Sequence, residues 1–221
     1  MPLSQPVARE LMHSRDITLR GYQRADGLLE VEAHLVDTKP YAFGNVDRGT
    51  VQPGEALHEM LVRMTIDDTL TIVGCEAVTE HGPFFSCHDG AASMARLVGL
   101  TIRPGFLKAA NAQLGGVQGC THLREMLQQI ATVALQTIWP VRSRREAAAR
   151  VRGETATGTP SNEDGSARLL NTCHAYASDG AVVRRRWPHL YTGADAAPDD
   201  DAPAGGARTE APQAASASRE A

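Results

Sequence analysis

Residues 17–36 read ITLRGYQRADGLLEVEAHLV, two β-rich runs joined through Asp26-Gly27. Glycine takes a positive φ at little cost, and Asp-Gly between alternating apolar runs is a strong hairpin signal. Leu29, Val31, Ala33 and Leu35 alternate with Glu30, Glu32 and His34. A period of two residues puts the first set on a covered face and the second in water. The stretch predicts an antiparallel pair, Ile17–Arg24 with Leu28–Val36, in a sheet covered on one side.

Outward from this hairpin the pattern repeats once. Met60–Ile66 and Leu70–Val78 flank Asp67-Asp68-Thr69, a second turn between β-rich runs. The Pro40–Glu55 connection is long and rich in Gly and Pro, which marks it as functional or loosely packed. The period then changes. Asp89 can cap a short helix that stops near Gly99, and Pro104 suits a first helical position before Gly115-Gly116. Thr121–Ile138 carries one apolar stripe, Leu123, Leu127, Ile130, Ala134 and Ile138, and predicts the longest helix, ended by Pro140. Arg142–Arg152 reads as an exposed basic helix and Gly153–Ser166 as a flexible linker. A last hairpin is expected, Leu169–Tyr176 with Ala181–Arg186, around Ser178-Asp179-Gly180. Strands first and helices second give an α+β fold: a twisted antiparallel sheet with helices packed on one face.

Composition sets the outer limits. The chain has 221 residues, enough for one domain with a substantial core. From Ala194 to Ala221 it is built of Ala, Asp, Pro, Gly and Ser, with six acids against two bases. That segment cannot bury enough apolar area to offset chain entropy, so we expect residues 1–193 to form the domain and 194–221 a disordered tail. Without the tail the 22 bases and 26 acids become 20 of each, a neutral body. Neutrality argues against a nucleic-acid partner, whose binding rests on neutralised phosphates. No apolar run reaches the length of a membrane helix, and the N-terminus MPLSQPVARELMHSRD lacks the form of a signal peptide. The cytoplasm is the expected compartment. There Cys75, Cys87, Cys120 and Cys173 are expected as free or metal-bound thiols rather than disulfides.

The residues able to carry chemistry are few. Cys120 and His122 open the predicted long helix, where free N–H groups favour a thiolate suited to metal ligation or nucleophilic attack. Cys87 follows Pro83-Phe84-Phe85 and also precedes a predicted helix. Cys173-His174 falls in the last predicted hairpin, where only one of the two can face a given site, and Cys173 is the candidate. His58 precedes a strand and can face the same end of the sheet. Asp37 and Lys39 are two apart on a strand, a spacing that suits an acid–base or substrate-orienting pair. Cys75 reads as strand packing. No dinucleotide fingerprint, phosphate loop, nucleophile elbow, zincin motif or zinc-finger spacing occurs.

Several stretches resemble a bacterial family described only as a domain of unknown function. They are RGYQRADG at 20–27, HLVDTK at 34–39 with Tyr41 and Phe43, LHEM at 57–60, LVGL at 97–100, GGVQGCTHL at 115–123 and CHA at 173–175. The resemblance spans roughly residues 10 to 190 and implies no activity. More distantly, Pro53–Ile138 is similar in layout to the iron–sulfur cluster scaffold proteins. On that plan Cys87 falls near the second scaffold cysteine, Cys120 on the third and His58 at the aspartate. Ala56 and Gly119 stand where the scaffold has its first cysteine and a histidine. The leading expectation is a zinc or iron–sulfur site from Cys87 and Cys120 with His58, His122 or Cys173, since thiolates with imidazoles form a soft ligand set. The rivals are a metal-free enzyme on a small molecule, using Cys120 or His122 with Asp37 and Lys39, and a non-catalytic adaptor.

Overall fold

The Asp26-Gly27 hairpin forms on its expected axis in a computed structural model that describes residues 3–153 and 169–194. Gly27 adopts φ +88°, and Arg24 and Leu28 close the turn through the Arg24 N–H and the Leu28 carbonyl at 2.9 Å. Strand β1 (Ser14–Gln23) thereby pairs with β2 (Leu29–Thr38) over their full length. The second hairpin joins β5 (Ala56–Ile66) to β6 (Ile72–His81). Asp67 organises its turn: Oδ1 accepts hydrogen bonds from the Thr69 and Thr71 N–H groups and from the Thr69 hydroxyl. The sheet is antiparallel in the order β1-β2-β5-β6.

The long connection between the hairpins is not structureless. It holds a small antiparallel pair, β3 (Phe43–Asn45) and β4 (Gly49–Val51). The Asn45 side-chain oxygen accepts from the N–H groups of Asp47 and Arg48 at its tip, and the Gly54 N–H reaches the Lys39 carbonyl at its base. No hydrophobic periodicity announces strands this short.

One sheet face carries the core. Leu29, Val31, Ala33 and Leu35 of β2 and Met60, Val62, Met64 and Ile66 of β5 are all buried. The opposite face leaves Tyr22, Leu61 and Val78 exposed. Helix α1 (Cys87–Ala91) and the 3₁₀ turn Ala92–Leu97 pack against β6. Helix α2 (Phe106–Leu114) follows Pro104 and packs on that turn. Then come α3 (Thr121–Glu125), against β5, and α4 (Leu127–Val151), across β1 and β2. The expected stripe is the buried one: Leu123, Leu127, Ile130, Ala134 and Ile138. Helix α4 packs tightly on the sheet at Gly21, where an added Cβ would stand 1.9 Å from Thr137 Oγ1.

Two expectations about the helices are corrected. The long helix is interrupted at Met126, and Pro140 does not end it. A proline inside a helix deletes one N–H, here the donor to the Gln136 carbonyl, and normally kinks or stops it. Here the residues beyond Pro140 are held from outside. Val141 is buried, Arg142 donates to the Asp68 carbonyl, and Arg145 Nη2 donates to the Gly27 carbonyl at 2.6 Å. The basic segment is thus part of α4, and its arginines grip both hairpin turns.

Contacts divide the chain into two compact units, Met1–Ala156 and Thr157–Ala221. In the second, the expected hairpin does not form. Gly180 stands before helix α5 (Ala181–Arg186), and 3₁₀ turns occupy His174–Tyr176 and Pro188–Leu190. Tyr176 and Trp187 pack at 5.5 Å between ring centres. The expected linker, from 154 onward, and the expected tail, from 195, lie outside the described residues.

Candidate functional site

The antiparallel register brings Arg15 opposite Asp37, and Asp37 opposite His58. All three lie at the end of the sheet away from the Asp26 turn. Asp37 is only 1 % exposed, so its charge requires partners. Arg15 supplies a two-pronged clamp, Nε to Oδ1 and Nη2 to Oδ2, both at 2.7 Å. His58 Nδ1 lies 3.0 Å from Oδ2 and His13 Nε2 3.4 Å from Oδ1. Arg15 also reaches Glu125 of α3 through Nη1 at 2.7 Å, which ties the helix layer to the sheet edge.

The electrostatics follow from this geometry. Burial presses the Asp37 carboxyl upward, but the Arg15 hydrogen bonds and charge, with His58 and His13, hold it below its ordinary value. The same carboxylate raises the Arg15 guanidinium against the effect of burial. An ionised carboxylate only accepts hydrogen bonds, so His58 Nδ1 carries the proton and Nε2 is left as the lone-pair nitrogen. Burial lowers the His58 imidazole, and the neighbouring His122 lowers it further, against the pull of Asp37. A lowered imidazole is neutral near pH 7, the form that ligates metals.

His122, in the first turn of α3, stacks on His58 with ring centres 3.9 Å apart and planes tilted by 34°. Asp37, His58 and His122 each offer a ligand atom within 4.8 Å of the others, and no other group of three His, Cys, Asp or Glu does so among the described residues. Cys120 adjoins this group: its Sγ lies 3.9 Å from His122 Nδ1 and 3.9 Å from Met60 Sδ. The backbone at Cys120 is extended, φ −93° and ψ 132°, which turns the chain into α3.

Cys120 and Cys87 line one cleft of about 640 Å³, together with Asp89, Gly90, Arg96 and Gly119. Glycines bring the thiols this close to the backbone. A Cβ at Gly90 would stand 3.3 Å from Cys120 Cβ, and one at Gly82 3.2 Å from Cys87 Sγ.

The other expected residues are not gathered here. Lys39 does not pair with Asp37: its Nζ donates to the Tyr41 hydroxyl at 3.2 Å and lies over the Tyr41 and Phe43 rings. Strand β2 ends at Thr38, so the shared-face argument fails one residue too early. Cys173 is exposed in the second unit, ahead of a 3₁₀ turn rather than on a strand. The helix that Cys120 opens is the five-residue α3, not the long one. Cys75 is buried in β6, where burial, with the Glu76 charge beside it, pushes its thiol up to about 12.

Arg15, His13 and Glu125 were not foreseen as site residues. Arg15 had a signal: counting outward from the Asp26-Gly27 turn sets it opposite Asp37.

A family model described as a protein of unknown function (DUF2889) matches residues 13–136. The chain belongs to that family. The DUF2889 match contains His13, Arg15, Asp37, His58, Cys87, Cys120, His122 and Glu125, and ends before Pro140 and Cys173. Among curated proteins and solved structures nothing matches the chain. The layout resemblance to iron–sulfur scaffolds therefore has no support. No described helix is long and apolar enough to cross a membrane.

Proposed function

We propose that this chain is a metal-binding protein whose site is centred on His58 and His122, with Asp37 as the group that orients His58 and Cys120 as the thiol that adjoins His122. The observation that carries the reading is that His58 and His122 bring ligand atoms within 4.8 Å of each other and of the buried Asp37 carboxylate, with Cys120 Sγ 3.9 Å from His122 Nδ1. Ligand atoms on one tetrahedral zinc, with bonds of about 2.0 to 2.3 Å, stand roughly 3.3 to 3.8 Å apart. The 3.9 Å between Cys120 Sγ and His122 Nδ1 is close to that span. Asp37 is better read as the outer partner than as a ligand. Arg15 and His58 already occupy its oxygens, and a carboxylate behind a ligating histidine fixes its tautomer and raises its basicity. A lone thiolate with two imidazoles suits one zinc-like ion better than an iron–sulfur cluster, which is commonly held by four cysteines.

Cobalt(II) titration of the full chain tests this reading. One equivalent should bind with near-ultraviolet thiolate-to-metal absorption, and zinc should displace it. Cys120→Ser should remove that absorption, and His58→Ala should weaken binding by about tenfold or more. Cys173→Ser should change neither. Binding that survives Cys120→Ser with its spectrum intact would overturn the proposal.

One observation favours a second reading, a metal-free thiol enzyme: Cys120 lines an open cleft and its Sγ lies 3.9 Å from His122 Nδ1. Its signature is rapid alkylation of Cys120, slowed by His122→Ala, in protein that binds no cobalt.

A further inference from the structure

Helix α3 is five residues long, too short to be stable alone, and its N-cap Cys120 makes no side-chain cap. Residues three apart on a helix share a face. Leu123 and Met126 are fully buried and seat one face of this turn on the core. The neighbouring face carries His122 and Glu125, the first stacked on His58 and the second held by Arg15 Nη1 at 2.7 Å. Arg15 at the same time clamps both oxygens of Asp37, and Asp37 Oδ2 stands 3.0 Å from His58 Nδ1. The contacts close a ring: His58 to Asp37, Asp37 to Arg15, Arg15 to Glu125, and one helical turn back to His122 on His58.

We infer that Glu125 is a positioning residue for the imidazole pair: bridged through Arg15 to Asp37, it fixes the roll of α3 and so holds His122 against His58. A guanidinium is a rigid planar fork, so one Arg15 head group fixes the carboxylates of Asp37 and Glu125 relative to each other. His58 takes its place from the same Asp37, and His122 takes its place from Glu125 one turn away on α3. The link itself contributes little to stability, since the Arg15 side chain is 33 % and the Glu125 side chain 49 % exposed. Glu125 also sits at the C-terminal end of α3, where the helix dipole disfavours an acid. Its value to the fold is small, whereas its value to the geometry of the pair is direct. The inference rests on the metal-binding reading for what the imidazoles bind, but the positioning is defined without a metal.

The test uses the full chain and three readouts: the NMR cross-peak between the His58 and His122 ring protons in metal-free protein, cobalt(II) affinity, and the urea midpoint. Glu125→Ala should abolish the cross-peak and weaken cobalt(II) by about tenfold. The same variant should move the urea midpoint by less than about 0.3 M. Glu125→Gln keeps an oxygen that accepts from Arg15, so it should restore the cross-peak and return cobalt(II) affinity to within about threefold of the natural chain. Arg15→Lys keeps a charge beside Asp37 but loses the fork. It should match Glu125→Ala in cross-peak and affinity, and the two changes together should do no more than either alone. Glu32→Ala breaks a similar exposed pair with Arg63 on the open face, 2.8 Å apart, and should alter neither cross-peak nor affinity. Absence of the cross-peak from the natural chain, its survival in Glu125→Ala, or natural cobalt(II) affinity in that variant overturns the inference. If the cross-peak behaves as expected but the natural chain binds no cobalt(II), the metal-binding reading falls and the positioning role stands.

Discussion

His58 and Glu59 are adjacent on β5 and face opposite sides of the sheet, and each side joins a carboxylate to imidazoles. On the covered side Asp37 is held by Arg15, His58 and His13. On the open side Glu59 is held by His34 Nε2 at 3.0 Å and His81 Nδ1 at 2.9 Å. Each carboxylate has two histidines within 3.4 Å, but only Asp37 has an arginine clamp as well. The two also differ in water: the Asp37 side chain is 1 % exposed, the Glu59 side chain 27 %, with both its histidines more open still. An exposed ion pair is screened and contributes little, whereas a buried charge must be met by fixed partners. The same sheet end thus carries one site that is organised by necessity and one that is ordinary surface.

The contrast breaks most visibly at Asp37. Asp37→Ala should cost about 3 kcal/mol, the low end for breaking a buried pair, because Arg15 keeps Glu125. Urea unfolding measures it, and a loss below about 1 kcal/mol would mean that the buried network is not holding the fold. Next comes the helix contact on the same face. Gly21→Ala forces a methyl group against Thr137 of α4 and should destabilise by about 2 kcal/mol, seen as a lower urea midpoint. On the open face the effects shrink. Glu59→Gln should change stability by only about 0.5 kcal/mol, and a cost near that of Asp37→Ala would erase the distinction between the faces. The smallest effect is expected at Gly74 on β6, where an added Cβ meets Thr65 at an ordinary 3.5 Å. Gly74→Ala should be neutral, or stabilising by up to about 0.5 kcal/mol, because it removes a flexible glycine from a strand. Thermal midpoints of the two glycine variants, measured side by side, should move in different amounts and need not share a sign.

The two large hairpins and the buried stripe from Leu123 to Ile138 were legible because each depends on a local period or turn signal. Pro140 was misread for a physical reason. Local chemistry stops the helix, but Val141, Arg142 and Arg145 find partners on the sheet that a window of sequence does not contain. The Asp179-Gly180 pair was misread in the opposite sense, since Arg184, Arg185 and Arg186 are good helix formers and Gly180 only precedes their helix. At the site, the helix start picked out Cys120 and His122, and His58 was chosen for its place at the sheet end. Asp37 was found for the wrong partner: the two-residue spacing suggested Lys39, whereas the hairpin register assigns Arg15. Met60 enters the sequence reading only as the start of a β-rich run and the end of LHEM at 57–60. Its contact with Cys120 spans 60 residues, and no pattern in either segment announces the other.

The span between partners also sets an order of assembly. Arg15 meets Asp37 across 22 residues and His58 meets Asp37 across 21, contacts that close with the neighbouring strands. Cys120 meets Met60 across 60, Glu125 meets Arg15 across 110, and the Arg145 grip on Gly27 spans 118. Longer loops cost more entropy to close and are made later unless something else holds their ends. The imidazole and thioether of β5 therefore belong to the early sheet, and the thiol with its neighbouring imidazole arrives when the helices come down. A metal ion present during refolding would find Asp37 and His58 in place before His122. Any dependence of refolding rate on that ion should fall on the late docking step, after the strands have paired.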